Sequence, residues 1–176
     1  SEDLPQKIAY CAISDFMNKS TNSVFIFEVG NKTTFEKSKR LILDLRFNYG
    51  GWVNQAVLIA SLRIGDRPVA IEYKKGQKKE LKETSPIFLR KGELIILVNR
   101  ETASAAELLT AAIQDYRLAT VVGERTYGKN EIQQEYDLKD GSKIKLVIAY
   151  WLTVRGTNIK NVGIMPDFFA ETTTDD

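Results

Sequence analysis

Apolar positions in this chain recur with two periods, one of strand type and one of helical type, and the two alternate. Lys7–Ser14, containing Ile8-Ala-Tyr-Cys-Ala-Ile13, reads as a strand. Leu41-Ile-Leu-Asp-Leu45 is a short apolar run of buried-strand type, closed by the turn signal Asn48-Tyr-Gly-Gly51. Over Trp52–Leu62 the apolar residues fall at 53, 56, 57 and 60, which is helical spacing. Leu94-Ile-Ile-Leu-Val98 predicts a second buried strand. Positions 105, 108, 109, 112, 113 and 116 then form a stripe of period 3.6, and Thr120-Val-Val122 predicts a short strand. Pro68–Tyr73 and Lys79–Glu83 predict a hairpin around Lys74–Lys78. Ile132–Leu138 and Lys143–Leu152 predict another across Lys139-Asp-Gly-Ser142. Ser20–Lys39 fits strand or helix equally, and the tail Glu171–Asp176 reads as frayed. Strands alternating with helices predict an α/β fold class, and 176 residues predict a single domain over 1–176.

Composition narrows the chemistry. The chain has no histidine, which removes every Ser-His-Asp triad and the usual zinc sites. No metal or cofactor is expected. One cysteine, Cys11, forbids an internal disulfide and reads as a buried strand thiol. The net charge is +2, and the lysines of residues 74–79 have no interleaved aromatic residues. They read as a solvated hairpin tip, and no nucleic-acid partner is expected. No apolar run reaches the ~18 residues of a membrane span, so no stable membrane insertion is expected.

Two segments remain for function. Ser104-Ala-Ala-Glu107 fits a capping box at the start of the striped helix. The same geometry suits a nucleophile, because a hydroxyl at a helix N-terminus feels the positive end of the dipole and has free N–H groups beside it, the N–H of Ala105 among them. With histidine absent, the leading candidate base is Lys129, which follows Tyr127-Gly128. A lysine must be neutral to accept a proton, and an unperturbed one is only about 0.04% neutral at pH 7. Lowering the value by ~3 units costs about 4 kcal/mol and requires a dry wall, for which strands 120–122 and 144–150 are available. In an extended segment Gln133 shares a face with Lys129, where its carbonyl could fix the lysine rotamer. Alone, it reads as an exposed strand glutamine. Gly50-Gly51 is most simply a turn. It also lies at the carboxyl end of a predicted strand, where ligands gather.

Several spaced motifs resemble the carboxyl-terminal processing, or tail-specific, serine proteases. Asp44-Leu-Arg-Phe-Asn-Tyr-Gly-Gly51 is similar to that family's D-L-R-x-N-x-G-G segment, and Ala103-Ser-Ala-Ala-Glu107 to its nucleophile segment. Val121-Val-Gly-Glu-Arg-Thr-Tyr-Gly-Lys129 resembles its lysine segment, while Asp140-Gly-Ser142 and Gly163-Ile-Met-Pro-Asp167 resemble two further markers. The resemblance implies a Clp protease/crotonase-like core carrying a Ser104–Lys129 dyad, with Gln133 supporting the lysine. It implies oxyanion donors at Gly50 and Ala105, with Gly51 the neighbouring choice. It also implies cleavage near the C-termini of flexible protein or peptide substrates, through an acyl-enzyme, in an extracytoplasmic compartment. Members usually carry a PDZ domain ahead of the strand matched by 7–14; only about six residues precede it here, which predicts a core without that domain. The alternative reading is a non-catalytic, retinoid-like binding module on the same core.

Overall fold

The computed structural model describes residues 8–17, 40–84 and 92–172. The segment 20–39, left open between strand and helix, lies outside the described residues.

The described residues form two sheets. Strands β1 (Ile8–Ala12), β2 (Arg40–Asp44), β5 (Glu93–Val98), β6 (Thr120–Gly123) and β9 (Phe168–Phe169) form one sheet in that order. Every pairing in it is parallel. Strands β3 (Ala70–Lys74), β4 (Gln77–Leu81), β7 (Glu131–Asp137) and β8 (Lys143–Leu152) form an antiparallel sheet ordered β4-β3-β8-β7. Among the described residues the helices are α1 (Val53–Ile64), after β2, and α2 (Ala105–Asp115), after β5. This is the mixed α/β architecture that the alternating periods predict, in the Clp protease/crotonase-like form that the resemblance implies.

The core forms where the stripes meet. On α2, Ala105, Leu108, Leu109, Ala112 and Ile113 are buried and pack with Ala56, Ile59, Ala60 and Ile64 of α1 and with Leu43 and Ile96 of the parallel sheet. Strands of a parallel sheet face other elements on both sides, so their inner positions read as continuous apolar runs.

The local signals account for the hairpins and the first strand. Lys75 and Gly76 both have positive φ (49° and 81°), the requirement of a two-residue hairpin turn matching strand twist, so β3–β4 turns there. Cys11 is half-buried against the core, on a strand that among the described residues pairs only with β2.

Two features differ from the sequence reading. Phe168–Phe169 forms a two-residue strand on the far edge of the parallel sheet, too short to show a period. Residues 143–147 of β8 are exposed, so they supply no dry wall. The cause is topological: β3 pairs only with Tyr150, Trp151 and Leu152 of β8, and beyond them, among the described residues, the β7–β8 ribbon pairs with no third strand.

Candidate active site

Strands β2 and β5 are parallel neighbours, so the loops leaving their carboxyl ends meet. One carries Asn48–Gly51, the other Asn99–Ser104. Buried polar side chains join them. Thr102 Oγ1 donates to the Leu45 carbonyl at 2.9 Å, and Phe47 N–H donates to Asn99 Oδ1 at 2.9 Å. The Ala103 N–H donates to the Asn48 carbonyl at 2.9 Å, and the Tyr49 hydroxyl donates to Glu101. Asn48, 0% exposed, also donates through Nδ2 to the Ile13 carbonyl at 2.7 Å, which ties in the segment after β1.

Gly50 has φ +93°, and a Cβ placed on it would lie 2.8 Å from Ser104 Cβ and 2.9 Å from Ala105 N. Only a residue without a side chain permits this approach. Gly50, Ser104 and Ala105 are therefore immediate neighbours. The three expected oxyanion donors are not equivalent. The Gly50 N–H already donates to Asn48 Oδ1 at 2.8 Å in an Asx turn. Among the described residues, no hydrogen bond engages the N–H of Gly51 or of Ala105. Phe16 bridges Gly51 through the Gly50 carbonyl (2.8 Å) and the Trp52 N–H (3.1 Å), leaving the Gly51 N–H out of that pairing.

Ser104 occupies the N-cap of α2, as the capping-box pattern predicts, but its backbone is unusual. Its φ is +56° and its ψ −117°, whereas an ordinary N-cap residue is extended. Positive φ in a non-glycine residue costs on the order of 1–3 kcal/mol and persists only where surrounding contacts over-determine it. Those contacts include the Ser104 N–H donating to Glu107 Oε2 at 2.9 Å. The half-buried serine shares a capping box with Glu107, its side chain facing the Glu107 N–H, and among the described residues its hydroxyl donates no hydrogen bond to the helix.

Glu107 is the residue that sequence reasoning undervalued. It reads as the N3 position of a cap, yet it is 0% exposed and accepts four hydrogen bonds. Oε2 takes the N–H of Ser104 at 2.9 Å and of Lys129 at 2.8 Å, while Oε1 takes the Gly128 N–H and the Thr126 hydroxyl, each at 2.6 Å. Burial holds the Glu107 carboxyl above the ordinary carboxylate value, and the four hydrogen bonds reduce that rise without cancelling it. Three of those partners are N–H groups that accept nothing, so the ionised carboxylate is the form this cage fits.

Lys129 is half-buried and follows Gly128, where an added Cβ would lie 2.8 Å from Gly163 N and 2.9 Å from the Ile159 carbonyl. Among the described residues Lys129 forms no ion pair, in contrast to Lys160, which holds Glu131 at 3.0 Å. Gln133 stands exposed on β7 and makes no hydrogen bond to Lys129 among the described residues. The structure therefore brings Gly50, Gly51, Ser104, Ala105 and the Lys129 backbone together, and among the described residues the Gln133 side chain makes no hydrogen bond to them. The two aspartates of the remaining motifs are structural. Asp140 Oδ1 caps its turn through the Ser142 N–H (3.0 Å), and Asp167 Oδ2 accepts the Val121 N–H (2.8 Å), anchoring β6.

Comparison with known proteins places this arrangement in context. Residues 7–169 match the model of peptidase family S41. The chain is 40% identical over 136 residues to the carboxy-terminal processing protease CtpA of Bacillus subtilis (strain 168), covering 76% of this chain and 29% of that protein. It is 34% identical over 169 residues to a probable CtpA-like serine protease of Staphylococcus aureus (strain COL), covering 94% of this chain and 34% of that protein. Among solved structures, the photosystem II D1 C-terminal processing protease superposes with a TM-score of 0.82 at 28% identity, over 93% of this chain and 42% of that one. The chain thus spans about a third of the length of the curated relatives it matches.

Proposed function

Because the chain belongs to peptidase family S41, we propose that it is the catalytic core of a serine endopeptidase in which Ser104 is the nucleophile and Lys129 the general base. One observation carries this reading: Ser104, on a strained N-cap, sits against a glycine turn and next to the unengaged Ala105 N–H, with the segment leading into Lys129 held by the same buried carboxylate.

The steps follow from these positions. Ser104 Oγ attacks the scissile carbonyl carbon, and its proton passes to a neutral Lys129 Nζ. The carbonyl oxygen becomes an oxyanion that accepts the Ala105 N–H, beside the positive end of α2, and the Gly51 N–H. Gly50, its own N–H engaged by Asn48, serves by letting the backbone approach. The carbon–nitrogen bond breaks, Lys129 returns its proton to the leaving amine, and the acyl group remains on Ser104. Water, deprotonated by Lys129, then attacks the ester and releases the acid, with the proton returning to Ser104. Gln133 acts on this scheme only if its carbonyl reaches Lys129 when substrate is bound. No step uses a metal or cofactor.

The substrates proposed are flexible protein or peptide C-termini, and the compartment is extracytoplasmic. Among the described residues no helix is long and apolar enough to cross a membrane. The non-catalytic, retinoid-like alternative gives no role to a serine hydroxyl on a strained N-cap beside the unengaged Ala105 N–H.

The test is a mass-spectrometric map of fragments from an unfolded protein such as reduced casein. The wild type should produce fragments that Ser104→Ala does not. Identical maps would refute the assignment.

A further inference from the structure

We propose that Glu107 is a positioning residue whose ionised carboxylate sets the Ser104 nucleophile and the Lys129 base in register, a role separate from its place in the helix cap. The inference rests on the Ser104–Lys129 reading above.

The geometry points beyond capping. A capping box uses its N3 glutamate to hold one backbone N–H, that of the N-cap residue. Glu107 does this for Ser104 at 2.9 Å, and then holds three further donors 19 to 22 residues away. Two bonds to one oxygen place the Ser104 and Lys129 nitrogens within about 6 Å of each other. The other oxygen fixes Gly128 and Thr126, the residues that set the path into Lys129.

Thr126 extends the tie. Its hydroxyl donates to Glu107 Oε1 and accepts the Ile164 N–H at 2.7 Å. The Ile164 carbonyl accepts the Thr126 N–H at 3.1 Å, so the 163–164 loop closes on the same hub.

A neutral cap would not need this arrangement. Four donors converge on one carboxylate in a fully buried setting, where charge-assisted hydrogen bonds are short and strong. Catalysis needs the nucleophile and its base in mutual orientation, and a misplacement of about 1 Å can cost about 10²-fold in rate. Glu107 touches neither substrate nor reacting atoms in this account; it acts through the two backbones.

Glu107→Gln tests the role most sharply. The amide keeps the shape but turns two N–H donors toward a cage of donors. In the intact protein, kinetics on a fluorogenic peptide should show kcat lowered by about 10²-fold with KM nearly unchanged, and a fluorophosphonate probe should label Ser104 correspondingly slowly. A merely structural glutamate would lower the melting temperature and leave kcat per folded molecule at the wild-type value, and that result would overturn the proposal.

If Glu107→Gln does not fold, Thr126→Val and Thr126→Ser decide. The valine variant removes one donor and should lower kcat, and the serine variant should restore it. Equal kcat in the two would also overturn the proposal. Wild-type protein that is inactive and unlabelled at Ser104 would instead refute the dyad reading on which this inference stands.

Discussion

The backbone N–H groups of Ser104 and Lys129 donate to the same atom, Oε2 of Glu107, at 2.9 and 2.8 Å. The residues are 25 apart in sequence and belong to loops that leave different strands, β5 and β6. A single buried oxygen therefore fixes the separation of two backbones from which the proposed chemistry is built.

The first prediction concerns the dyad as a unit. Ser104→Ala and Lys129→Ala should each remove nearly all hydrolysis, and the double variant should lose little more, because both groups act in one step. Steady-state kinetics on the four proteins, with circular dichroism to verify folding, measures this. Losses that multiply in the double variant would mean the two residues act independently.

The second prediction concerns the glycine turn. Gly50→Ala adds a Cβ 2.8 Å from Ser104 Cβ at a φ of +93°, so the turn must shift away from the nucleophile. Losing one oxyanion donor costs about 10²–10³ in kcat, and displacing Gly51 with its neighbour should cost about as much. A soluble Gly50→Ala variant with wild-type kcat would mean the turn takes no part in the reaction.

The reach of sequence reasoning follows physical range. The α2 stripe and the β3–β4 turn were legible because each depends on near neighbours: a 3.6-residue repeat and a Lys-Gly pair. The β8 apolar run was legible as a strand but not as an exposed one, since burial depends on whether β3 extends alongside it. Glu107 shows the same limit at the candidate site. Its spacing from Ser104 gave the cap, while its bonds to residues 126, 128 and 129 exist only once β6 lies beside β5. The sequence reading puts Gly50 ahead of Gly51 as a donor and cannot foresee that the Asn48 side chain engages the Gly50 N–H.

The third prediction concerns acid stability. Asp44 accepts Arg46 Nη2 at 2.7 Å and the Tyr10 hydroxyl at 2.8 Å. Burial pushes its carboxyl up, but the Arg46 and Tyr10 hydrogen bonds outweigh this and hold it below the ordinary carboxylate value. A folded-state value below the unfolded one means the native state binds fewer protons. The stabilisation is thus fully present above about pH 4 and is lost as pH falls through the lowered folded value. Melting temperatures followed from about pH 5 to pH 2 should fall more steeply for the wild type than for Asp44→Asn. Parallel curves would remove Asp44 from the acid response.

The fourth prediction separates fold from chemistry. Leu109 is 0% exposed on the inner face of α2. Leu109→Ala should cost about 2–5 kcal/mol of stability, read by denaturant titration, while leaving kcat per folded molecule unchanged. A loss below about 1 kcal/mol would mean the α1–α2 core relaxes around the cavity.

The central claim is that Ser104 is activated by Lys129, and fluorophosphonate labelling tests it most directly. Peptide mapping of the labelled wild type should find the adduct on Ser104. At the same pH, Lys129→Ala should label at least about 10²-fold more slowly, the lower range for loss of a general base. An adduct elsewhere, or equal labelling of Ser104 without Lys129, would contradict the account.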